Sequence, residues 1–176
     1  MPDDETTLDA DGLRVVFFRR GDRVAHRIEV FDTVDGAWRA ACESLEGADD
    51  DCWPPSPPFQ QLHVEQRAQG PVVLLIGMAG RTHWSAAVEV TADGRGICFD
   101  VAARCQTPPE YLGSNYPHVA ASQMVQLSWT ALTAATLITH DERFSDGKSI
   151  RPWGEFAAPP ATIAWKYAVA APLPRP

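Results

Sequence analysis

An alternating pattern in the segment from Thr82 to Arg104 constrains the fold more than any other feature of this chain. Successive side chains of a β-strand point to opposite faces of the sheet, so strict alternation of apolar and polar residues predicts strands with one buried face. A turn at Asp93-Gly94 places the apolar residues of two such strands directly opposite each other. The pairs are Trp84 with Ala103, Ala86 with Val101, Val88 with Phe99, and Val90 with Ile97. This hairpin needs a second layer against its apolar face.

Further strands with turn residues between them recur along the chain. Gly21-Asp22 predicts a two-residue hairpin turn that pairs Leu13, Val15 and Phe17 with Val30, Ile28 and His26. Other strands are expected at Phe59 to Ala68, Val72 to Ala79, Val125 to Ala131 and Ile163 to Val169. About nine or ten short strands predict an all-β fold, an antiparallel β-sandwich, with an open or flattened β-barrel as the alternative.

Two segments leave the choice between strand and helix open. In residues 36–46 the apolar side chains fit one face of a helix, but the segment is short, which favours a strand. In residues 121–139 the threonines at positions 130, 133, 136 and 139 favour a strand, with an alanine-rich helix as the alternative.

The run VVLLIGMAG, from Val72 to Gly80, is apolar at nearly every position. Such a run predicts a central strand that is covered on both faces. The glycines at its end, Gly77 and Gly80, predict a bend or a close approach of another backbone segment.

The chain of 176 residues is long enough to bury about 70% of its unfolded surface, which is sufficient for one core. We expect a disordered acidic N-terminal tail at residues 1–11, a single β-sandwich domain at residues 12–170, and a proline-rich C-terminal tail at residues 171–176.

The net charge of −8, from 23 acidic and 15 basic side chains, argues against binding to nucleic acid, because that binding depends on neutralising phosphates. The chain has neither a signal-peptide pattern nor an apolar stretch of membrane-spanning length, so we expect a cytoplasmic protein without a membrane partner. The four cysteines, Cys42, Cys52, Cys98 and Cys105, are separated by 10, 46 and 7 positions. This spacing does not fit a zinc site, so we expect free thiols, no metal and no cofactor. The acidic run from Glu46 to Asp51 is interpreted as a solvated loop.

Polar residues on two predicted strand faces are the candidate ligand-binding residues. They are Gln61, His63 and Glu65 on one strand, and His83, Ser85, Asp100 and Arg104 on the polar face of the Thr82–Arg104 hairpin. A sheet face that mixes polar and apolar groups is typical of sites for sugars or other polar small molecules, and an ordinary solvated face is the alternative.

The combination of serine, histidine and aspartate on this face invites comparison with a hydrolase. A catalytic triad needs the imidazole between the serine oxygen and the carboxylate, whereas neighbouring side chains on a strand project in parallel. The spacing therefore favours a cross-strand polar network, chiefly between Asp100 and Arg104.

The segment CWPPSPP, residues 52–58, cannot form a regular helix or an inner strand, because its prolines lack amide donors. It is interpreted as a stiff extended loop that is packed down by Trp53. The alternative is that Trp53, Pro54 and Pro55 dock into an aromatic-lined groove of a partner protein.

The strand HWSAAVEV, its turn and the strand ICFDVAAR resemble strands of sugar-handling β-supersandwich proteins of the mutarotase kind. The resemblance implies a shared architecture and not a shared function. The catalytic histidine and glutamate of that group have no counterpart that can be assigned in this sequence.

These observations lead to three hypotheses. The first is a non-catalytic domain that binds a small polar molecule, carbohydrate included, or a protein partner. The alternative is a carbohydrate-active enzyme with Glu65, His63, Asp100 and His83 as acid and base candidates. The second alternative is an assembly subunit that docks through its edge strands or the proline-rich loop. The sequence leaves the oligomeric state open.

Overall fold

A computed structural model describes residues 5–117, 119, 126–140 and 147–172. Within these ranges the chain forms thirteen β-strands and no helix. The strands are β1 (Thr6–Ala10), β2 (Leu13–Arg20), β3 (Arg23–Asp32), β4 (Ala37–Glu43), β5 (Phe59–Arg67), β6 (Gly70–Ala79), β7 (Thr82–Val90), β8 (Gly96–Cys105), β9 (Ser114–Tyr116), β10 (Ser128–Ala131), β11 (Thr136–His140), β12 (Lys148–Pro152) and β13 (Ala161–Ala170).

The strands form three antiparallel sheets, and none of the three closes into a barrel. The first has the order β1-β2-β3-β4, the second β10-β13-β8-β7-β6-β5, and the third β11-β12-β9. The inner faces of the four-stranded and six-stranded sheets share one hydrophobic core. The sandwich prediction is therefore confirmed, with more strands than the nine or ten that were expected.

The predicted hairpin registers are confirmed residue by residue. Phe17 lies opposite His26 in the first hairpin, and Trp84 lies opposite Ala103 in the second. The two segments for which the sequence allowed either strand or helix also form strands. These are β4 in residues 36–46, and β10 and β11 in residues 121–139. Residues 121–125, including the predicted strand position Val125, lie outside the described residues.

The expected disordered tail is wrong for residues 6–10, which form β1 and pair with β2. Leu8 is buried opposite Val15, and the carboxylate of Asp9 accepts a hydrogen bond from Nε of Arg14 at 2.6 Å. One buried leucine and the ladder hydrogen bonds are enough to order a strand that is otherwise polar. Residues 1–4 and 173–176 of the two predicted tails lie outside the described residues.

A buried histidine lies where the three sheets meet. Nε2 of His26, on β3, is 2.8 Å from the hydroxyl of Tyr116 on β9, and that hydroxyl is 2.6 Å from the hydroxyl of Tyr167 on β13. The His26 ring also packs 5.4 Å from the Phe99 ring on β8. Burial lowers the pKa of His26 to about 3. The residue is a hydrogen-bonded core histidine, as its position on an apolar strand face predicts.

His26 should make the stability of the protein sensitive to acid. Its pKa is about 3 in the folded state and about 6.5 when exposed, so the unfolded state binds more protons between these values. The contribution of neutral His26 is present above pH 6.5 and is lost as the pH falls towards 3. Urea unfolding of the wild type and of His26→Gln between pH 7 and pH 4 measures this effect. The advantage of the wild type over the variant should shrink by at most about 1.4 kcal/mol per pH unit; a constant difference would contradict it.

Between about pH 4.5 and pH 7, Glu46 changes the stability of the protein in the opposite direction to His26. Burial raises its pKa to about 7, although its Oε1 accepts a hydrogen bond from Ser44 Oγ at 2.7 Å. The interpretation of residues 46–51 as a solvated loop is therefore wrong for Glu46, because its Oε2 is buried and its Oε1 is hydrogen-bonded to Ser44. Ionising it costs stability, which falls as the pH rises from about 4.5 to 7. Glu46→Gln should remove this loss while leaving the contribution of His26, and this separates the two groups.

Candidate functional site

The outer face of the six-stranded sheet carries all seven predicted ligand-binding residues. The register aligns its side chains in four transverse rows. Row 1 contains Met78, His83, Arg104 and Thr162; row 2 contains Gln61, Ile76, Ser85, Ala102 and Ala164; row 3 contains His63, Leu74, Ala87, Asp100 and Lys166; row 4 contains Glu65, Val72, Glu89, Cys98 and Ala168. Successive rows are about 7 Å apart, because same-face residues of a strand are separated by two positions.

Rows 1 and 2 line an open cavity of about 570 Å³. Its polar lining includes Gln61, His83, Ser85 and Arg104, which are four of the seven predicted residues. The remaining three, His63, Glu65 and Asp100, lie in rows 3 and 4 and do not line the cavity. The structure therefore divides the predicted set into a group around one cavity and a group farther along the same face.

Two exposed apolar side chains on β6 form part of the cavity wall. Ile76 is 52% exposed and Met78 is 48% exposed. The prediction that both faces of this strand are covered is wrong at Ile76 and Met78, whereas Val72, farther along the same face, is only 2% exposed. An apolar run on a strand does not distinguish burial by the protein from exposure at a site, so the sequence did not identify Ile76 and Met78.

A β-bulge in β5 shapes one side of the cavity. The register shifts between Phe59 and Gln61, which leaves Gln60 as an extra residue in the strand. Oε1 of Gln60 accepts a hydrogen bond from the Met78 amide at 3.1 Å. Gly77, which precedes Met78, allows the backbone of Pro58 to approach closely, as the glycine pattern predicted. The bulge itself left no signal in the sequence.

The two basic side chains of row 1 have no interaction partner among the described residues. His83 lies directly opposite Arg104 on the neighbouring strand. Neither side chain makes a hydrogen bond or an ion pair with any residue that the structure describes, and both are exposed. A ligand can therefore approach both groups without breaking an existing interaction.

The carboxylates of rows 3 and 4 are mostly neutralised by neighbours. Nζ of Lys166 donates to Asp100 at 2.8 Å, and Nη2 of Arg67 donates to Glu65 at 3.0 Å. The predicted pairing of Asp100 with Arg104 is wrong. Four positions along a strand separate these two residues by about 13 Å, whereas Lys166 lies directly opposite Asp100 on β13.

The arrangement does not form a catalytic triad within the described residues. Ser85 makes no hydrogen bond with His83 there, and Asp100 is held by Lys166 in row 3. The ion pair with Arg67 lowers the pKa of Glu65, which is the wrong direction for a general acid at neutral pH. The four acid and base candidates of the enzyme hypothesis lie in three different rows.

The proline-rich loop is packed onto the body of the protein. Pro54 is buried, Trp53 and Pro55 are half-buried, and Nδ2 of Asn115 donates to the carbonyl oxygen of Pro55. Ser56, in the same loop, donates through Oγ to the Asn115 carbonyl oxygen at 3.3 Å. This packing favours the stiff loop over a docking segment, and docking through Trp53, Pro54 and Pro55 stays a prediction.

The described part of the chain contains neither a cluster of metal-ligating side chains nor a long apolar helix. No group of three or more histidine, cysteine, aspartate or glutamate side chains is placed there to hold a metal ion. Those residues also include no helix that is long and apolar enough to cross a membrane. The thiols of Cys42, Cys98 and Cys105 are buried, and that of Cys52 is exposed.

The comparisons with known proteins do not suggest a function for the outer face. Comparisons of the chain with protein-family models, with curated proteins and with solved structures find no match. The function is therefore argued from the arrangement of these side chains alone.

Proposed function

We propose that this protein is a non-catalytic binding module for a small organic molecule, with its site in the cavity of rows 1 and 2. The observation that carries the proposal is that exposed Ile76 and Met78 lie beside His83 and Arg104. Neither of these two basic side chains has a hydrogen bond or an ion pair among the described residues. Small-molecule sites are concave and mostly apolar, with a few polar groups that orient the ligand. The volume of about 570 Å³ lies within the usual range for such sites.

The shape of the cavity supports a small ligand over a protein partner. Ser85 and Ala102 form its floor, and their short side chains leave a depression between Ile76 on one side and Arg104 on the other. A docking surface for a protein partner is usually larger and flatter than this depression.

The lining supports a ligand with an apolar body rather than a sugar. Sugar rings stack on exposed aromatic faces, and the aromatic residue in the wall, Trp84, is only 2% exposed and packs into the core. The apolar contacts available to a ligand come from Ile76 and Met78, which suit hydrocarbon or fused-ring groups.

Thermal unfolding of the purified protein with a panel of small molecules tests this proposal. A ligand at 100 times its Kd stabilises the folded state by about 2.7 kcal/mol, which raises Tm by about 5–10 °C in a protein of this size. Ser85→Trp, on the cavity floor, should abolish the shift because the indole fills the cavity. Thr7→Trp, at a position that is likewise exposed on the outer face of the four-stranded sheet, is the matched control and should keep the shift.

Two results would contradict the proposal. One is an equal ligand shift in Ser85→Trp and in Thr7→Trp, which would place the site elsewhere. The other is a wild-type dimer, measured by light scattering, that Ser85→Trp converts to a monomer. In that case a second copy of the chain covers Ile76 and Met78.

A further inference from the structure

We infer that the ligand of this cavity is an amphipathic organic anion, with its anionic head bound between Arg104 and His83 and its apolar body on Ile76 and Met78. The inference rests on the proposed binding function and specifies the class of ligand. Ligands of this class carry a single anionic head, either a carboxylate or a phosphate-type group, on an apolar body.

The local charge of the cavity is opposite to the charge of the protein. The chain carries a net charge of −8, yet the cavity lining includes Arg104 and His83 and neither aspartate nor glutamate. On the same face, Asp100 is paired with Lys166 and Glu65 with Arg67. Glu89 lies three rows from Arg104, about 20 Å away, which is twice the screening length at 0.1 M salt. The cavity is thus a basic site on an acidic protein.

The register places two donors at the spacing that one anionic head requires. His83 and Arg104 are directly opposite in an antiparallel pair, where Cβ atoms are about 5 Å apart. The planar guanidinium group can bind both oxygens of a carboxylate or phosphate, and the imidazole can donate from the adjacent strand. Because Arg104 has no ion pair among the described residues, an anion gains this interaction without displacing an internal carboxylate.

The apolar side chains set the direction and length of the ligand body. Met78 lies opposite His83 on β6, and Ile76 is the next residue on the same face. An anionic head held between β8 and β7 lies about one and a half strand spacings, about 7 Å, from Met78 on β6. A chain of about eight carbons or two fused aromatic rings spans this distance.

Two fluorescent probes with the same ring system test the inference. The first is 8-anilinonaphthalene-1-sulfonate, an organic anion, and the second is N-phenyl-1-naphthylamine, its uncharged counterpart. Arg104→Gln should weaken binding of the anionic probe at least tenfold and leave the neutral probe unchanged. Ile76→Ser should weaken both probes. Arg95→Gln, at an exposed arginine in the turn between β7 and β8, is the matched control and should alter neither.

The variants distinguish the failure of this inference from the failure of the proposed function. If Ile76→Ser weakens both probes while Arg104→Gln binds the anion as the wild type does, the cavity binds ligands without selecting anions and the inference is wrong. If neither probe binds the wild type, or if Ile76→Ser changes neither Kd, the proposed function is wrong as well. Each variant should retain the near-ultraviolet circular dichroism of the wild type, because the anionic probe also binds partly unfolded protein.

Competition experiments with the anionic probe show whether the head is a carboxylate or a phosphate. Octanoate and octyl phosphate carry the two candidate heads on the same body, and 1-octanol carries none. Displacement of the anionic probe by octanoate alone assigns a carboxylate, and displacement by octyl phosphate alone assigns a phosphate. Displacement by 1-octanol at an equal concentration would overturn the inference, since the head would then contribute nothing.

Discussion

Replacing Trp165 with alanine should lower the free energy of unfolding by about 3–5 kcal/mol, the usual loss for a large buried aromatic side chain. Trp165 is 1% exposed and packs edge to face with Trp84, with 6.1 Å between the ring centroids. Its Nε1 donates to Ser114 Oγ at 3.1 Å, which links the six-stranded sheet to β9 of the three-stranded sheet. Truncation leaves a cavity and removes the donor from a buried hydroxyl.

Equilibrium unfolding in urea measures this effect, and two further variants make it interpretable. Trp153→Ala is the matched control, because Trp153 is 62% exposed and its loss should change stability by less than about 0.5 kcal/mol. Trp165→Phe keeps a buried aromatic ring but loses the hydrogen bond and part of the indole volume, so a measurable loss of about 1–3 kcal/mol is expected even if the alanine variant does not fold. A loss below 1 kcal/mol in Trp165→Ala would contradict the packing described here.

The second large effect is expected at Gly77, where alanine should destabilise the protein by about 3 kcal/mol, at the upper end of the usual cost of overpacking. A Cβ atom at this position would overlap the carbonyl oxygen of Pro58 and lie 2.9 Å from Cα of Phe59. Both are backbone atoms, so neither can rotate away, and the bulge at Gln60 has to shift. Elsewhere within a strand, alanine in place of glycine stabilises by about 0.5–1 kcal/mol, so the sign of the change is itself informative.

Gly94→Ala is the control for this experiment. Gly94 has φ +73° and nothing within 4 Å of the position of an added Cβ, so alanine there meets only backbone strain of about 1 kcal/mol. Thermal or urea unfolding should therefore rank Gly77→Ala below Gly94→Ala in stability. Equal losses, or a more stable Gly77→Ala, would show that the Pro58 segment can move away. Because Gly77 lies in the cavity wall, its variant should also weaken binding of both fluorescent probes.

The success of the register predictions and the failures elsewhere have one physical origin. In a hairpin, the turn fixes which residues are opposite and alternation fixes which face they share, so Trp84 and Ala103 were paired correctly from local information. The pairing of Asp100 with Lys166 depends on where β13 joins the sheet. This strand begins 56 residues after β8 ends at Cys105, and four strands, β9 to β12, lie between them in the chain, so the hairpin does not contain that information.

The division of the candidate site follows the same reasoning. Alternation placed His83, Ser85 and Arg104 on one face of a hairpin and Gln61 on the polar face of another strand. The structure joins these two faces through β6. His63 and Glu65 lie one to three rows from these four residues, because same-face residues of β5 are two positions apart. The bulge at Gln60 shapes the cavity beside Gln61, and it has no sequence signature. The formation of β1 likewise depends on a neighbouring strand, because Leu8 is buried only once β2 is beside it.

The sequence by itself determined most of the long strands, the hairpin registers and the polar strand faces on which the candidate residues lie, since all of these depend on side-chain alternation and on glycine-containing turns. Only the tertiary structure decided which apolar residues remain exposed and which polar residues remain unpaired. Ile76 and Leu75 are equally apolar and adjacent in the chain, yet one lies in the cavity wall and the other in the core. The reason is that exposure and pairing depend on what packs against a face, and strands distant in the sequence supply that layer.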